Sequence, residues 1–125
     1  MMKFTKGQLE AEISTRIIQF EKEHMGRGPT EARTFILEDM ILVRLKDVLT
    51  PAEHQLAKSQ EGRGLIKKIR ARLFEDSRAI LEELIATVTG ASVISIHSDI
   101  STITGERMVV FILNMHAKEI FGDNK

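Results

Sequence analysis

Two groups of residues in this chain are of types and spacings that support chemistry. The first is His97 with Asp99, two positions apart in Val93-Ile94-Ser95-Ile96-His97-Ser98-Asp99-Ile100. Alternation in an extended segment puts both on one side, where they could share a proton, hold an anion beside a nearby donor, or supply half of a metal site. The second is a set of arginines: Arg27 in Gly26-Arg27-Gly28-Pro29, and Arg33 and Arg44 in the apolar segment 32–46. A planar guanidinium fork suits carboxylates and other oxyanions. Each group also has a plainer reading, a wet strand face for the first and long side chains splayed into solvent for the second. A catalytic zinc needs three protein ligands, and His24, His54 and His116 stand at no recognisable ligand spacing from the His97/Asp99 pair. No metal, cofactor or catalytic residue is assigned. The candidate partner- or ligand-binding residues are Arg27, Arg33, Arg44, His97 and Asp99.

The elements that must position them follow from periodicity and punctuation. Thr5-Lys6-Gly7-Gln8 reads as a capping box, and Leu9, Ile13, Ile17, Phe20 and His24 recur at helical spacing, so a first helix is expected to about Met25. Gly26-Arg27-Gly28-Pro29 stops it. The segment from Ala32 to Lys46 alternates as a hairpin turning at Glu38-Asp39, which sets Arg33 opposite Arg44 on the side shared with Phe35, Leu37, Met40 and Leu42. Thr50-Pro51-Ala52-Glu53 is a second capping box and opens a short helix. Gly62-Arg63-Gly64 is expected to interrupt it, before a long amphipathic helix with the apolar stripe Leu65, Ile69, Leu73, Ile80, Leu84 and Val88, closed by Gly90.

A last hairpin turns near Thr104-Gly105. Its first strand should face the core through Ile94, Ile96, Ser98 and Ile100, with Val93, Ser95, His97, Asp99 and Ser101 on the other side. A two- or four-residue loop sets Ile96, Ser98 and Ile100 beside Leu113, Phe111 and Val109, whereas a three-residue loop flips every partner; the first keeps Phe111 inside and is preferred. The tail from Phe121 to Lys125 is expected to fray. The fold class is α+β in the order α-β-β-α-α-β-β, a four-stranded antiparallel sheet with two main helices on one face, forming a single domain over 1–125. Met108, Val110 and Ile112 then lie opposite the helices, where a second copy of the chain is the simplest cover, making a homodimer.

Bulk properties narrow the partners. Eighteen basic and eighteen acidic residues cancel, which argues against nucleic acid or anionic lipid as a partner. With no cysteine, disulfides and thiolate chemistry are excluded. No apolar run approaches the ~20 residues that span a bilayer, so no direct membrane insertion is expected.

Three segments taken together resemble one family: Gly26-Arg27-Gly28-Pro29, Met40-Ile41-Leu42-Val43-Arg44-Leu45-Lys46-Asp47-Val48-Leu49-Thr50-Pro51-Ala52-Glu53, and His97-Ser98-Asp99-Ile100-Ser101-Thr102-Ile103-Thr104-Gly105-Glu106-Arg107 are similar to the MpsC-like family, from Lys6 to about Asn114. The resemblance implies a component of a Na+-translocating, membrane-potential-generating system whose companions are linked to bicarbonate uptake. On that basis the chain is expected to be a soluble accessory or regulatory subunit, cytoplasmic and held peripherally by a membrane-bound partner protein. The resemblance brings no catalytic residues with it. The residues themselves leave two alternatives open, a small-anion-binding regulatory module using Arg27, Arg33 and Arg44, and an enzyme using His97 and Asp99.

Overall fold

Both capping boxes form as the sequence predicts. In a computed structural model describing residues 4–121, the Thr5 hydroxyl accepts from the Gln8 amide and starts helix α1 (Lys6–Phe20). Thr50 and Glu53 do the same for α2 (Pro51–Leu56). Leu9, Ile13, Ile17 and Phe20 are buried along α1. The helix then widens into a π-helical turn, Glu21–Met25, and the extra residue per turn changes which side chains point inward. Glu21 and Met25 are buried, and His24, expected on the apolar stripe, stays half-exposed beside the Phe20 ring.

Strands β1 (Glu31–Leu37) and β2 (Met40–Lys46) pair antiparallel through the Glu38-Asp39 turn, with Arg33 opposite Arg44. Glu38 has φ 55°, an unfavourable setting for a residue with a side chain. Both turn carbonyls are engaged from elsewhere in the fold, that of Glu38 by the Ala117 amide and that of Asp39 by the Leu113 amide. Strands β3 (Val93–Ile100) and β4 (Arg107–Leu113) complete a sheet of order β1-β2-β4-β3, so β1 and β3 are its edges.

The helices after α2 depart from expectation. Helix α3 (Gln60–Asp76) starts before the two glycines, because the Ser59 hydroxyl caps it by accepting from the Gly62 amide. Gly62 therefore lies inside the first turn. A Cβ there would meet the Leu56 carbonyl oxygen at 1.8 Å, so the glycine permits a close crossing of α2 rather than a break. The break comes at Ser77, after which α4 (Arg78–Thr89) runs to Gly90 in the left-handed conformation. Three longer helices thus replace the expected two. The buried line of α3 and α4 is Ile66, Arg70, Phe74, Leu81 and Ile85. Leu65, Ile69, Leu73 and Ile80, expected in the core, are exposed, while Leu84 and Val88 are partly buried against it. The offset is one residue, and it brings Arg70 to partners that lie inside the fold.

The second hairpin keeps the expected core face with a different pairing. Ile96 lies opposite Phe111, Ser98 opposite Val109 and Ile100 opposite Arg107, and segment 101–106 forms the connection. The Gly105 amide donating to the Ser101 carbonyl and the Ser101 amide donating to the Glu106 carbonyl close that loop early. A bulge between Val93 and Ser95 reverses the start of β3: Val93 pairs with Leu113 and packs on the core, and Ile94 is 63% exposed. A short helix α5 (Ala117–Phe121), absent from the sequence reading, follows β4. Of the tail expected to fray, Phe121 ends α5 and 122–125 lie outside the described residues.

Candidate functional site

The richest chemistry in the fold is a buried charged group that the sequence reading did not single out. Glu21 from the π-helical turn, Arg70 from α3 and Arg107 from β4 are each at most 2% exposed. Arg70 is gripped on one edge by Glu53, with Nε and Nη2 donating to its two carboxylate oxygens at 2.8 and 2.6 Å, and Nη2 also reaches the Val48 carbonyl at 2.9 Å. Glu53 therefore serves two elements, capping α2 and fixing α3. Arg107 stacks its guanidinium over the Phe74 ring, 4.6 Å from the centroid.

Glu21 stands between the two arginines without closing on either. Its carboxylate oxygens lie 4.0 Å from Arg70 Nη1 and 3.9 Å from Arg107 Nε. Glu21 Oε1, Arg70 Nη1 and Arg107 Nε have no hydrogen-bond partner among the described residues. Burial raises the Glu21 carboxyl above the usual carboxylate range against the pull of Arg107 and Arg70, with Glu53 adding to the rise. Burial likewise lowers Arg107, opposed by Glu21. Glu53 goes the other way: its own burial is outweighed by the hydrogen bond from Arg70 and the Thr50 cap, and its carboxyl falls below the usual value.

These arginines open onto a cavity of about 360 Å³ between α3 and β3. Lys67, Arg70 and Phe74 form one wall, and Ile96, Ser98 and Arg107 belong to the other. At its rim Lys67 reaches Asp99 at 3.3 Å. That contact and the Ile100 amide hold the Asp99 carboxyl low, the amide being the larger influence.

The residues singled out from the sequence are not gathered in one place. His97 lies on the sheet face away from the helices, opposite Val110, with Nε2 at 3.3 Å from the Ser95 hydroxyl. Asp99 turns to Lys67 instead, so the two make no hydrogen bond to each other among the described residues. Arg44 is paired with Glu106, and Arg33 stands over Phe35. Arg27 points elsewhere, toward Asp47 at 3.4 Å and the Leu49 carbonyl at 3.5 Å. No group of three or more His, Asp or Glu side chains suited to a metal ion occurs among the described residues.

The uncovered sheet face carries three rows across all four strands: Arg33, Arg44, Met108, Asp99; then Phe35, Leu42, Val110, His97; then Leu37, Met40, Ile112, Ser95. Phe35 and Leu37 are 39% and 48% exposed. The middle of this face is apolar and its first row is charged at both ends.

Comparison with known proteins gives this arrangement a family. A family model described as "Na+-translocating membrane potential-generating system (MpsC)" matches residues 5–115. The chain belongs to the MpsC family. That match spans the capping box of α1, both hairpins and every member of the buried charged group. Among curated relatives of this MpsC-family chain, "Uncharacterized protein YbcI" of Bacillus subtilis (strain 168) is 47% identical over 112 residues, covering 90% of each chain. "Uncharacterized protein YrhF" of the same organism is 27% identical over 113 residues, 86% of this chain and 89% of its own length. No solved structure matches. Among the described residues, no helix of this family member is long and apolar enough to cross a membrane.

Proposed function

We propose that this chain is an accessory or regulatory subunit of a Na+-translocating, membrane-potential-generating system linked to bicarbonate uptake, and that it acts by protein–protein contact from the cytoplasmic side. Family membership supports the system. The observation that carries the mode of action is the uncovered sheet face, where apolar side chains from all three of β1, β2 and β4 lie in register opposite the helices.

A second copy of the chain is the occupant best matched to that face. A two-fold axis parallel to the strands, between β2 and β4, exchanges β1 with β3. Arg33 of one copy then meets Asp99 of the other, and Phe35 meets His97, with Leu42 and Val110 at the centre. The dimer leaves the exposed α3 line of Leu65, Ile69 and Leu73, spaced at i, i+4 and i+8, for the membrane-bound partner.

A photo-crosslinking residue at Val110 and, separately, at Ile69 tests both contacts in intact membranes. Position 110 is expected to give an adduct of twice the chain mass, and position 69 an adduct with an integral membrane protein of the same system. No membrane-protein adduct from either position overturns the accessory role. No self-adduct from position 110 overturns the dimer.

A further inference from the structure

We propose that the cavity between α3 and β3 binds a small carboxylate or inorganic oxyanion on the guanidinium groups of Arg107 and Arg70. This inference does not rest on the docking reading: Arg70, Phe74 and Arg107 lie on the helix-covered side of the sheet, and His97 and Asp99 are the lining residues shared with the uncovered face.

Both arginines keep unused donors. Glu53 and the Val48 carbonyl occupy only the Nε/Nη2 edge of Arg70, and Nη1 is buried without a partner. Arg107 is held by stacking on Phe74, a contact that fixes its plane while using none of its N–H groups. Its Nε is also buried and has no hydrogen-bond partner among the described residues. Leaving buried donors unpaired costs free energy that an arriving acceptor recovers. Glu21 balances the charge of both arginines from 3.9 to 4.0 Å, yet it is too far away to take their hydrogen bonds. Charge compensation and hydrogen-bond capacity are thus separated here: Arg70 Nη1 and Arg107 Nε stand opposite Glu21 without bonding to it, and the two guanidinium-bearing residues border the cavity.

The size and charge of the space fix the ligand class. About 360 Å³ is at the small end of ligand pockets. Its charged lining consists of Lys67, Arg70 and Arg107 against Glu75 and Asp99, and Asp99 is already paired with Lys67. Of the two rings in the lining, Phe74 is already covered by the Arg107 guanidinium and the other is the His97 imidazole. A compact anion that accepts in-plane N–H bonds fits these walls, and a large planar ligand does not.

Glu21 makes the binding proton-coupled. The charged groups facing it are Arg107 from β4, Arg70 from α3 and Glu53 from α2. A second negative charge between the same arginines disfavours the ionised Glu21, so the ligand enters as Glu21 takes up a proton, and binding tightens as pH falls. His97 also borders the cavity and supplies the control variant.

Isothermal titration of the full chain with acetate, bicarbonate and inorganic phosphate, at matched ionic strength and in two buffers of different ionisation enthalpy, tests the proposal. At least one anion should saturate at one per chain with net proton uptake. Arg107→Lys keeps the charge and loses the fork, and should weaken binding by roughly tenfold or more. Glu21→Gln should tighten binding and abolish the proton uptake, whereas His97→Gln should leave that uptake unchanged. Ala71→Glu, at an exposed position on the cavity wall, puts a competing carboxylate in place and should block binding without altering the far-UV circular dichroism. It also serves if Arg107→Lys fails to fold. Failure of all three anions to produce saturable heat, equal binding by the Ala71→Glu chain, or proton uptake that persists in Glu21→Gln would each overturn the assignment.

Discussion

Replacing Arg70 by Met separates the role of the buried charged group from that of the surrounding apolar core. The substitution keeps the side-chain volume but removes the two bonds to Glu53, at 2.8 and 2.6 Å, and the bond to the Val48 carbonyl at 2.9 Å. Breaking a buried ion pair by deleting one partner costs about 3–5 kcal/mol. Glu53 retains 18% side-chain exposure and its Thr50 amide donor, so its penalty sits near the lower limit. The Val48 carbonyl, left in a site where Val48 itself is fully buried, adds about 1 kcal/mol. The expected loss is about 3–4 kcal/mol, against a total of about 5–15 kcal/mol for a domain of this kind. With a urea slope of about 2 kcal/mol per molar, the midpoint falls by roughly 1.5–2 M. The chain has neither Trp nor Tyr, so unfolding is followed by far-UV circular dichroism. In the double mutant Arg70→Met, Glu53→Gln, much of the second cost should already have been incurred, leaving a coupling of about 2 kcal/mol. A loss below about 1 kcal/mol for Arg70→Met, or strictly additive single mutants, would refute the reasoning.

The two glycines near the start of α3 should respond in opposite directions: Gly62→Ala must push a Cβ into the Leu56 carbonyl and lose about 2–4 kcal/mol, while Gly64→Ala, with nothing within 4 Å, should gain about 0.5–1 kcal/mol, both read from urea midpoints. Equal effects would show that the α2–α3 crossing is not the constraint. Because burial raises the Glu21 carboxyl in the folded state, its favourable contribution is present below the ordinary Glu range and is lost as pH rises through the raised value. The Glu21→Gln chain should therefore gain stability relative to the parent as pH rises above the ordinary Glu value of about 4, and a gap that stays constant with pH contradicts the burial argument. Light scattering of the parent should give twice the 14.1 kDa chain mass, with Val110→Lys reducing it toward a single copy; a monomeric parent removes the sheet-to-sheet dimer.

Much of the fold was readable because it rests on local rules. The Thr5 and Thr50 capping boxes, the Glu38-Asp39 turn and the Arg33–Arg44 pairing depend on neighbours in sequence or on strict alternation, and all appear where the residues put them. The misplaced α3 stripe has a definite origin. Counting Leu65, Ile69 and Leu73 as the core stripe assumes that a buried line is apolar, but the line chosen by the fold contains Arg70. A usable signal was present. Arg107 has the same strand parity as Val109, Phe111 and Leu113, and Glu21 follows Ile13 and Ile17 at helical spacing, so each charge sat on an apolar line.

The sequence by itself determined the element types, the α-β-β-α-α-β-β order, the capped helix starts and the apolar character of the open sheet face, because periodicity and capping act over a few residues. Only the tertiary structure decided which line of α3 turns inward, where the long helix breaks, and how β3 slides and bulges against β4. The first of these choices brings Arg70 to Glu21 and Glu53, with Arg107 arriving from β4, so that four elements meet at one buried group. A buried charge is tolerated only where its counter-charge arrives, and that meeting is written in three dimensions rather than in the spacing of any one segment.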